Sequence, residues 1–168
     1  LINFAHGDLF MLATVLCNIP RRTKTVIAYA FAALLLIPNS VVARMMTVIP
    51  GIYVGSEIID SIAGAEPIGP KRMFDVLIVV PCTGNTLAKL SHGITDTTAA
   101  MAVKSHLRSE RPVVLALSTN DALAASAENI GRLLNRRHYY FVPFGQDDPE
   151  SKPRSLVSEL SLLPETIE

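Results

Sequence analysis

The feature that most constrains this chain is an abrupt change of character between residues 73 and 86. Val76, Leu77, Ile78, Val79 and Val80 form an unbroken apolar run, and Cys82, Thr83, Gly84, Asn85 and Thr86 follow it with small polar groups. Such a run, without polar alternation, predicts a strand covered on both faces, as in parallel sheets packed between helices. Emptying that strand into a polar loop puts backbone N–H groups and hydroxyls beyond its carboxyl end, where open α/β sheets hold ligands. Thr83, Gly84, Asn85 and Thr86 are therefore the first candidate binding residues, Gly84 by letting backbone approach a ligand.

The same grammar recurs downstream. Residues 112–117 predict a second buried strand, which runs into Ser118, Thr119, Asn120 and Asp121. A helix follows over 122–136, with Leu123, Ala127, Ile130 and Leu134 as its apolar stripe. Residues 139–143 predict a third strand, and 144–149 a third polar exit. Between the first two strands lie a helix over 85–91, closed by His92 and Gly93, and a second helix capped by Thr95 or Asp96. Ala99, Val103 and Leu107 share one face of that second helix, and Lys104, Arg108 and Arg111 crowd its end, where cations suit the dipole. Residues 66–71 carry two prolines and a glycine and predict neither helix nor strand. Strand, polar loop and helix in alternation argue for parallel βαβ units with right-handed crossovers, hence a three-layer α/β fold of Rossmann-like type.

Parallel strands gather all three polar loops along one sheet edge. A polar triplet ahead of a helix is by itself only an N-cap; several around one crevice make a binding edge, so Ser118, Thr119 and Asn120 join the candidate residues. The crevice offers hydrogen bonding to a polar, planar or carboxylated ligand. No nucleophile sits beside a base, no Walker-type loop is present, and no His/Cys cluster has zinc spacing. With 15 basic and 15 acidic side chains there is no net field to draw in nucleic acid or an anionic membrane. Cys17 and Cys82 form no disulfide framework, the pattern of a cytosolic protein. Cys82 reads as packing, His92 and His106 as structural, and Asp147-Asp148 before Pro149 as a turn. Lys71, Arg72 and Lys104 read as solvated charge able to attract a dicarboxylate.

Residues 1–55 differ in texture from 56–168, which marks a division into an apolar leading segment and an α/β domain. Leu1 stands where an initiator Met is expected, as in a fragment or processed product. Residues 26–37 are strongly apolar and are closed by Pro38-Asn39, short of the about 18 residues a membrane span needs. They read as a buried core helix, with a truncated membrane segment as the alternative. Asn3-Phe4-Ala5-His6-Gly7 resembles a segment of branched-chain amino-acid ABC transporter permeases, but nothing downstream extends the likeness.

A broader resemblance rests on Ala65-Glu66-Pro67-Ile68-Gly69-Pro70-Lys71, Pro81-Cys82-Thr83-Gly84-Asn85-Thr86, Gly93-Ile94-Thr95-Asp96-Thr97, Ser118-Thr119-Asn120-Asp121-Ala122-Leu123 and the segment from Val142 to Pro149. In number and order these resemble the B subunits of bacterial dipicolinate synthase, over about residues 60–168. The resemblance implies a flavoprotein fold related to the flavin-containing cysteine decarboxylases, whose Pro-Ala-Ser-Ala-Asn-Thr motif residues 81–86 are similar to. It implies an FMN or substrate site at Thr83, Asn85 and Thr86 with Asn120 beside them, and a dehydrogenase-like partner, the A subunit of dipicolinate synthase, that carries NAD(P). It further implies oxidation of a hydroxylated tetrahydrodipicolinate, a small dicarboxylate, in the cytoplasm of a sporulating mother cell, and homo-oligomeric assembly. A binding or scaffolding protein that docks the A subunit without flavin is the alternative. The family also has a Thr-Gly-Ser type loop near its start for the flavin phosphate, and residues 1–55 contain no such sequence.

Overall fold

The computed structural model describes residues 25–28, 52–54 and 57–168, with side chains from Ile59 onward. In chain order its elements are β1 (Thr25–Ala28), β2 (Ile52–Val54), β3 (Glu57–Ile59), α1 (Ile62–Ala65), a 3-10 turn (Glu66–Ile68), β4 (Val76–Cys82), α2 (Gly84–His92) and α3 (Thr98–Leu107). β5 (Val113–Thr119), α4 (Ala127–Leu134), β6 (Tyr139–Phe141), β7 (Phe144–Gly145) and β8 (Leu156–Ser158) follow, then a 3-10 turn (Leu160–Leu162) and α5 (Leu163–Ile167). One mixed sheet runs β3-β2-β1-β4-β5-β8-β7, with β6 also on β5.

β1, β4, β5 and β6 pair in parallel, as expected of the central strands. Antiparallel strands flank them: β2 and β3 on one side, β8 and β7 on the other. β4, β5 and β6 advance in one direction across the sheet, so right-handed crossovers put their helices on one face. Leu77, Val79, Cys82, Val113, Leu115 and Leu117 of that face pack with Leu87, Leu90, Ala100, Val103, Ile130 and Leu133 of the helices. Val76, Ile78, Val80, Val114 and Ala116 line the other face and are met by Leu160 and Leu163 of the C-terminal segment. This completes the third layer.

Several elements differ from expectation, each for a physical reason. β4 does not stop at Pro81. It continues through a cis Val80–Pro81 bond to Cys82, and its register on β5 slips so that Val79 pairs with Leu115 and Cys82 with Leu117. Three β4 steps against two on β5 are a bulge, which turns Cys82 onto the helix face with Leu77 and Val79. β5 likewise extends past Leu117, because β8 pairs antiparallel with Ser118 and Thr119. Of the apolar run 26–37, residues 26–28 are strand rather than helix, paired with β4; its remainder lies outside the described residues. Glu66–Ile68 forms one 3-10 turn with proline in its first turn, where a missing N–H costs nothing.

α3 is capped by Thr97, whose hydroxyl accepts from Ala100 N, not by Thr95 or Asp96. α2 closes as predicted on Gly93, in the left-handed region at φ 73°, with Ile94 N donating to Lys89 O at 2.9 Å. α4 is only Ala127–Leu134, and its buried residues are Ile130 and Leu133; Leu123 and Leu134 of the expected stripe are exposed. The third strand ends at Phe141, and Phe144–Gly145 folds onto β8 instead of opening into a polar exit.

Candidate functional site

From β1 the chain moves outward to β2 and β3 and then returns to lay β4 on the other side of β1. In open α/β sheets ligands bind beyond the carboxyl ends of strands at such a reversal. The loop leaving β4 sits there. Thr83 is the N-cap of α2: its Oγ1 accepts from Thr86 N at 3.4 Å and lies 3.2 Å from Thr86 Oγ1. These two hydroxyls serve each other. Asn85 is exposed, and its amide has no partner among the described residues.

The second loop meets the first through Gly84. A Cβ on Gly84 would lie 2.7 Å from Thr119 Oγ1, 3.1 Å from Asp121 Oδ1 and 3.2 Å from Ser126 Oγ. The missing side chain thus lets α2 start against the end of β5, so its close approach is to the chain's own second loop. Thr119 Oγ1 donates to Asp121 Oδ1 at 2.5 Å, and Ser126 Oγ donates to the same oxygen at 2.9 Å. The Thr119 hydroxyl, more than Ser126, holds the Asp121 carboxyl below the usual carboxylate range, with partial burial opposing.

Strand parity separates the other two residues of this loop. Ser118 and Thr119 are both buried strand residues, and successive strand side chains point to opposite faces. Thr119 therefore shares the helix face with Leu115 and Leu117, and Ser118 shares the other with Val114 and Ala116. Asn120 is exposed, its Oδ1 3.5 Å from Ser155 Oγ, whose single hydrogen is shared between Asn120 and Asp147. Thr83, Gly84 and Thr119 are thus drawn together, with Asn85 and Asn120 as exposed amides on the two loops, while Ser118 is turned away.

The third loop is satisfied internally. Gln146 Nε2 donates to Pro153 O at 2.8 Å, Lys152 Nζ lies 3.4 Å from Asp147, and Ser151 N and Oγ both donate to Asp148. Asp147, chiefly through Ser155, and Asp148, through Ser151, are held below the usual carboxylate range. The pair is a turn, as read from sequence. Among the described residues no His/Cys/Asp/Glu group can hold a metal.

Lys104 lies elsewhere, lining an open depression of ≈ 460 Å³ with Pro67, Pro70, Met101 and Arg108. The end of α3 leads toward the start of β5, so these cations belong to the opposite sheet edge. Cys82 and His106 are fully buried, consistent with packing roles. Sequence reasoning missed Asp121 and Ser126 as site residues. Thr119-x-Asp121 carried a signal, since a carboxylate two residues after a hydroxyl can take its hydrogen; nothing local marked Ser126.

Comparison with known proteins agrees with this architecture. The Flavoprotein family model matches residues 11–153, a span that includes β1 and β2. The dipicolinate synthase B subunit of Bacillus subtilis is 50% identical over 114 residues, 68% of this chain. The chain spans only 57% of the length of that relative. The crystal structure of the dipicolinate synthase B subunit from Bacillus halodurans superposes with a TM-score of 0.72 at 32% identity, covering 98% of this chain and 85% of that one. A dodecameric FMN-dependent UbiX-like decarboxylase from Escherichia coli O157:H7 shares the fold at 22% identity, with a TM-score of 0.54 over 82% of this chain and 73% of its own. Among the described residues no helix is long and apolar enough to cross a membrane.

Proposed function

The chain belongs to the Flavoprotein family, and within it to the dipicolinate synthase B subunits, and from that premise we propose that it holds FMN at the start of α2 and takes part in forming dipicolinate. The substrate is a hydroxylated tetrahydrodipicolinate. Its conversion to the aromatic diacid eliminates water, breaking one C–O bond and one neighbouring C–H bond, and removes a further hydride and proton from the ring. A flavin, when bound, supplies a two-electron acceptor for that hydride. A dehydrogenase-like A subunit would be the partner and would hold NAD(P), which would supply redox capacity beside the flavin, and the setting is the cytoplasm of the sporulating mother cell. Copies of the chain associate, as a homo-oligomer.

The observation that carries the reading is the pair of exposed amides, Asn85 in the first turn of α2 at the strand-order reversal and Asn120 just after β5, on segments that pack together at Gly84. The donor set fits the group. The edge of a flavin ring alternates acceptor, donor and acceptor, and primary amides and hydroxyls can meet both kinds without adding charge. Asn85 and Asn120 orient the ring edge or a substrate carboxylate, Thr119 offers an acceptor, and Thr83 and Thr86 hold the start of α2 in place. Ser118, on the other face, supports the strand end from behind.

Titrating FMN into the purified chain and following quenching of flavin fluorescence tests this. Saturable binding is expected, weakened roughly tenfold in Asn85→Ala, the cost of about one hydrogen bond. A folded chain that leaves flavin fluorescence unchanged overturns the reading in favour of a flavin-free protein that docks the A subunit.

A further inference from the structure

The depression beside Lys104 is a second concavity, formed where α3 meets the turn that runs toward β4. Met101, Lys104 and Arg108 of α3 and Pro67 and Pro70 of the turn line its ≈ 460 Å³. Spacings of three and four residues put the three α3 side chains on one helix face. The turn and the helix are fixed to each other before any ligand arrives. Ser105 Oγ donates to Glu66 O at 2.5 Å and accepts from Gly69 N at 2.9 Å. Gly69 admits this approach, since a Cβ there would lie 1.7 Å from Ser105 O. Lys71 N donates to Pro67 O at 3.0 Å and Arg72 N to Gly69 O at 2.8 Å, so both prolines stand on a closed turn. A preformed cavity spares a ligand the cost of ordering its walls.

The charges it presents are uncommitted. Lys104 and Arg108 are exposed, and neither side chain has a hydrogen-bond or ion-pair partner among the described residues. Glu66, the one carboxylate of the lining, pairs with neither. Arg111, a few residues on, is by contrast spent on Asp75 at 3.2 Å. Four residues along a helix advance about 6 Å, close to the separation of two carboxyl groups carried on one small ring. Met101 and the two proline rings supply apolar surface for the body of such a ligand.

We propose that this depression is a second binding site, for a small ring dicarboxylate, with Arg108 taking one carboxylate in its planar fork and Lys104 the other as a point charge. The ring lies against Met101, Pro67 and Pro70. The site is separate from the crevice at the start of α2 and needs no flavin. The aromatic diacid of the proposed reaction belongs to this ligand class and serves as the probe.

Calorimetric titration of the purified chain with pyridine-2,6-dicarboxylate, with and without added FMN, tests this; pyridine-2-carboxylate and inorganic phosphate are the comparison anions. Saturable binding of the dicarboxylate is expected in both conditions, with the other two anions weaker by roughly tenfold or more. Lys104→Gln and Arg108→Gln should each lower its affinity by roughly tenfold, and Glu66→Gln should raise it by about threefold by removing a like charge. Arg137→Gln, which removes an exposed cation of the loop entering β6, should leave it unchanged. All of these side chains are exposed, so circular dichroism should match wild type throughout. Absence of saturable binding overturns the proposal, as does equal binding of all three anions. An equal loss in Arg137→Gln overturns it in favour of diffuse surface charge. A loss in Asn85→Ala with none in Lys104→Gln or Arg108→Gln overturns it by placing the diacid in the crevice. A chain that takes up the dicarboxylate at Lys104 and Arg108 but never binds FMN refutes the FMN reading and supports this site.

Discussion

Gly84→Ala is the sharpest test of how the two loops meet. The added methyl carbon falls 2.7 Å from Thr119 Oγ1, with Asp121 Oδ1 at 3.1 Å and Ser126 Oγ at 3.2 Å. None of these atoms is the loose end of a flexible chain. Thr119 is buried in β5 and bonded to Asp121 at 2.5 Å, and Ser126 is buried and bonded to the same oxygen. Relief needs either a shift of α2 away from β5, an overpacking cost of about 1–3 kcal/mol, or rotation of Thr119 off its carboxylate, a loss of about 1.5–3 kcal/mol for a bond to a charged group. Helix propensity opposes this by less than about 1 kcal/mol. The net expectation is destabilisation by about 1–2 kcal/mol. Gly131, within α4, is the control: a Cβ there meets nothing within 4 Å, so Gly131→Ala should stabilise by roughly 0.5–1 kcal/mol. Urea unfolding of both variants measures the difference. The double variant Gly84→Ala/Thr119→Ala should cost at least about 1 kcal/mol less than the sum of its parts, because removing the hydroxyl opens the space the methyl needs. Equal stability of Gly84→Ala and Gly131→Ala, or strict additivity in the double variant, would refute the packing argument.

Two further outcomes follow from buried titratable groups. His106 is fully buried, its Nε2 lies 3.1 Å from Pro112 O, and its Nδ1 has no partner among the described residues. Burial holds it below the ordinary imidazole range, with the Pro112 carbonyl opposing, Arg111 adding and Asp75 opposing. Below about pH 6.5 the unfolded chain binds a proton that the folded chain resists. This contribution to stability is therefore complete above that pH and lost as pH falls, so urea midpoints should decline on the acid side and decline less in His106→Gln. A pH dependence unchanged in the variant would count against it. Burial also pushes the Cys82 thiol up to about 12. In a Cys17→Ser background a thiol reagent should not label the native protein at about pH 8 and should label it in urea; rapid native labelling would contradict the packing role.

What the sequence made legible were elements with strong local signals. β4 announced itself by an unbroken apolar run, and α2 by a threonine cap at one end and Gly93 at the other. Boundaries set by distant partners were not legible. Thr95, Asp96 and Thr97 can all cap a helix; the choice falls on Thr97 because Lys89 takes Asp96 at 2.8 Å and Thr98 Oγ1 donates to Asp60 O at 3.1 Å, fixing the first turn. The expected start of α4 at residue 122 gave way because Asp121 draws Ala124 N, Ser126 N and the Ser126 hydroxyl into a turn, a local competitor to helix. Leu123 N then donates to Arg154 O at 3.0 Å, a distant partner that no periodicity could have indicated.

The site itself depends on parity more than on composition. Without the bulge between Val79 and Cys82, Cys82 would lie on the face of Val76, Ile78 and Val80, and the chain would enter α2 from the wrong side of the sheet. With the bulge, Cys82 pairs with Leu117 on the helix face, and two residues further along each chain Gly84 and Thr119 meet. A proline that reads as a strand terminator is thus part of the irregularity that brings the two polar loops together. The residue types of the crevice could be listed from sequence, but their grouping could not, because it turns on one extra residue in one strand. Ser118, adjacent to Thr119 and chemically similar to it, falls on the opposite face by ordinary strand alternation, while Asp121, which the motif placed only as a helix-start residue, takes the Thr119 and Ser126 hydroxyls beside Gly84.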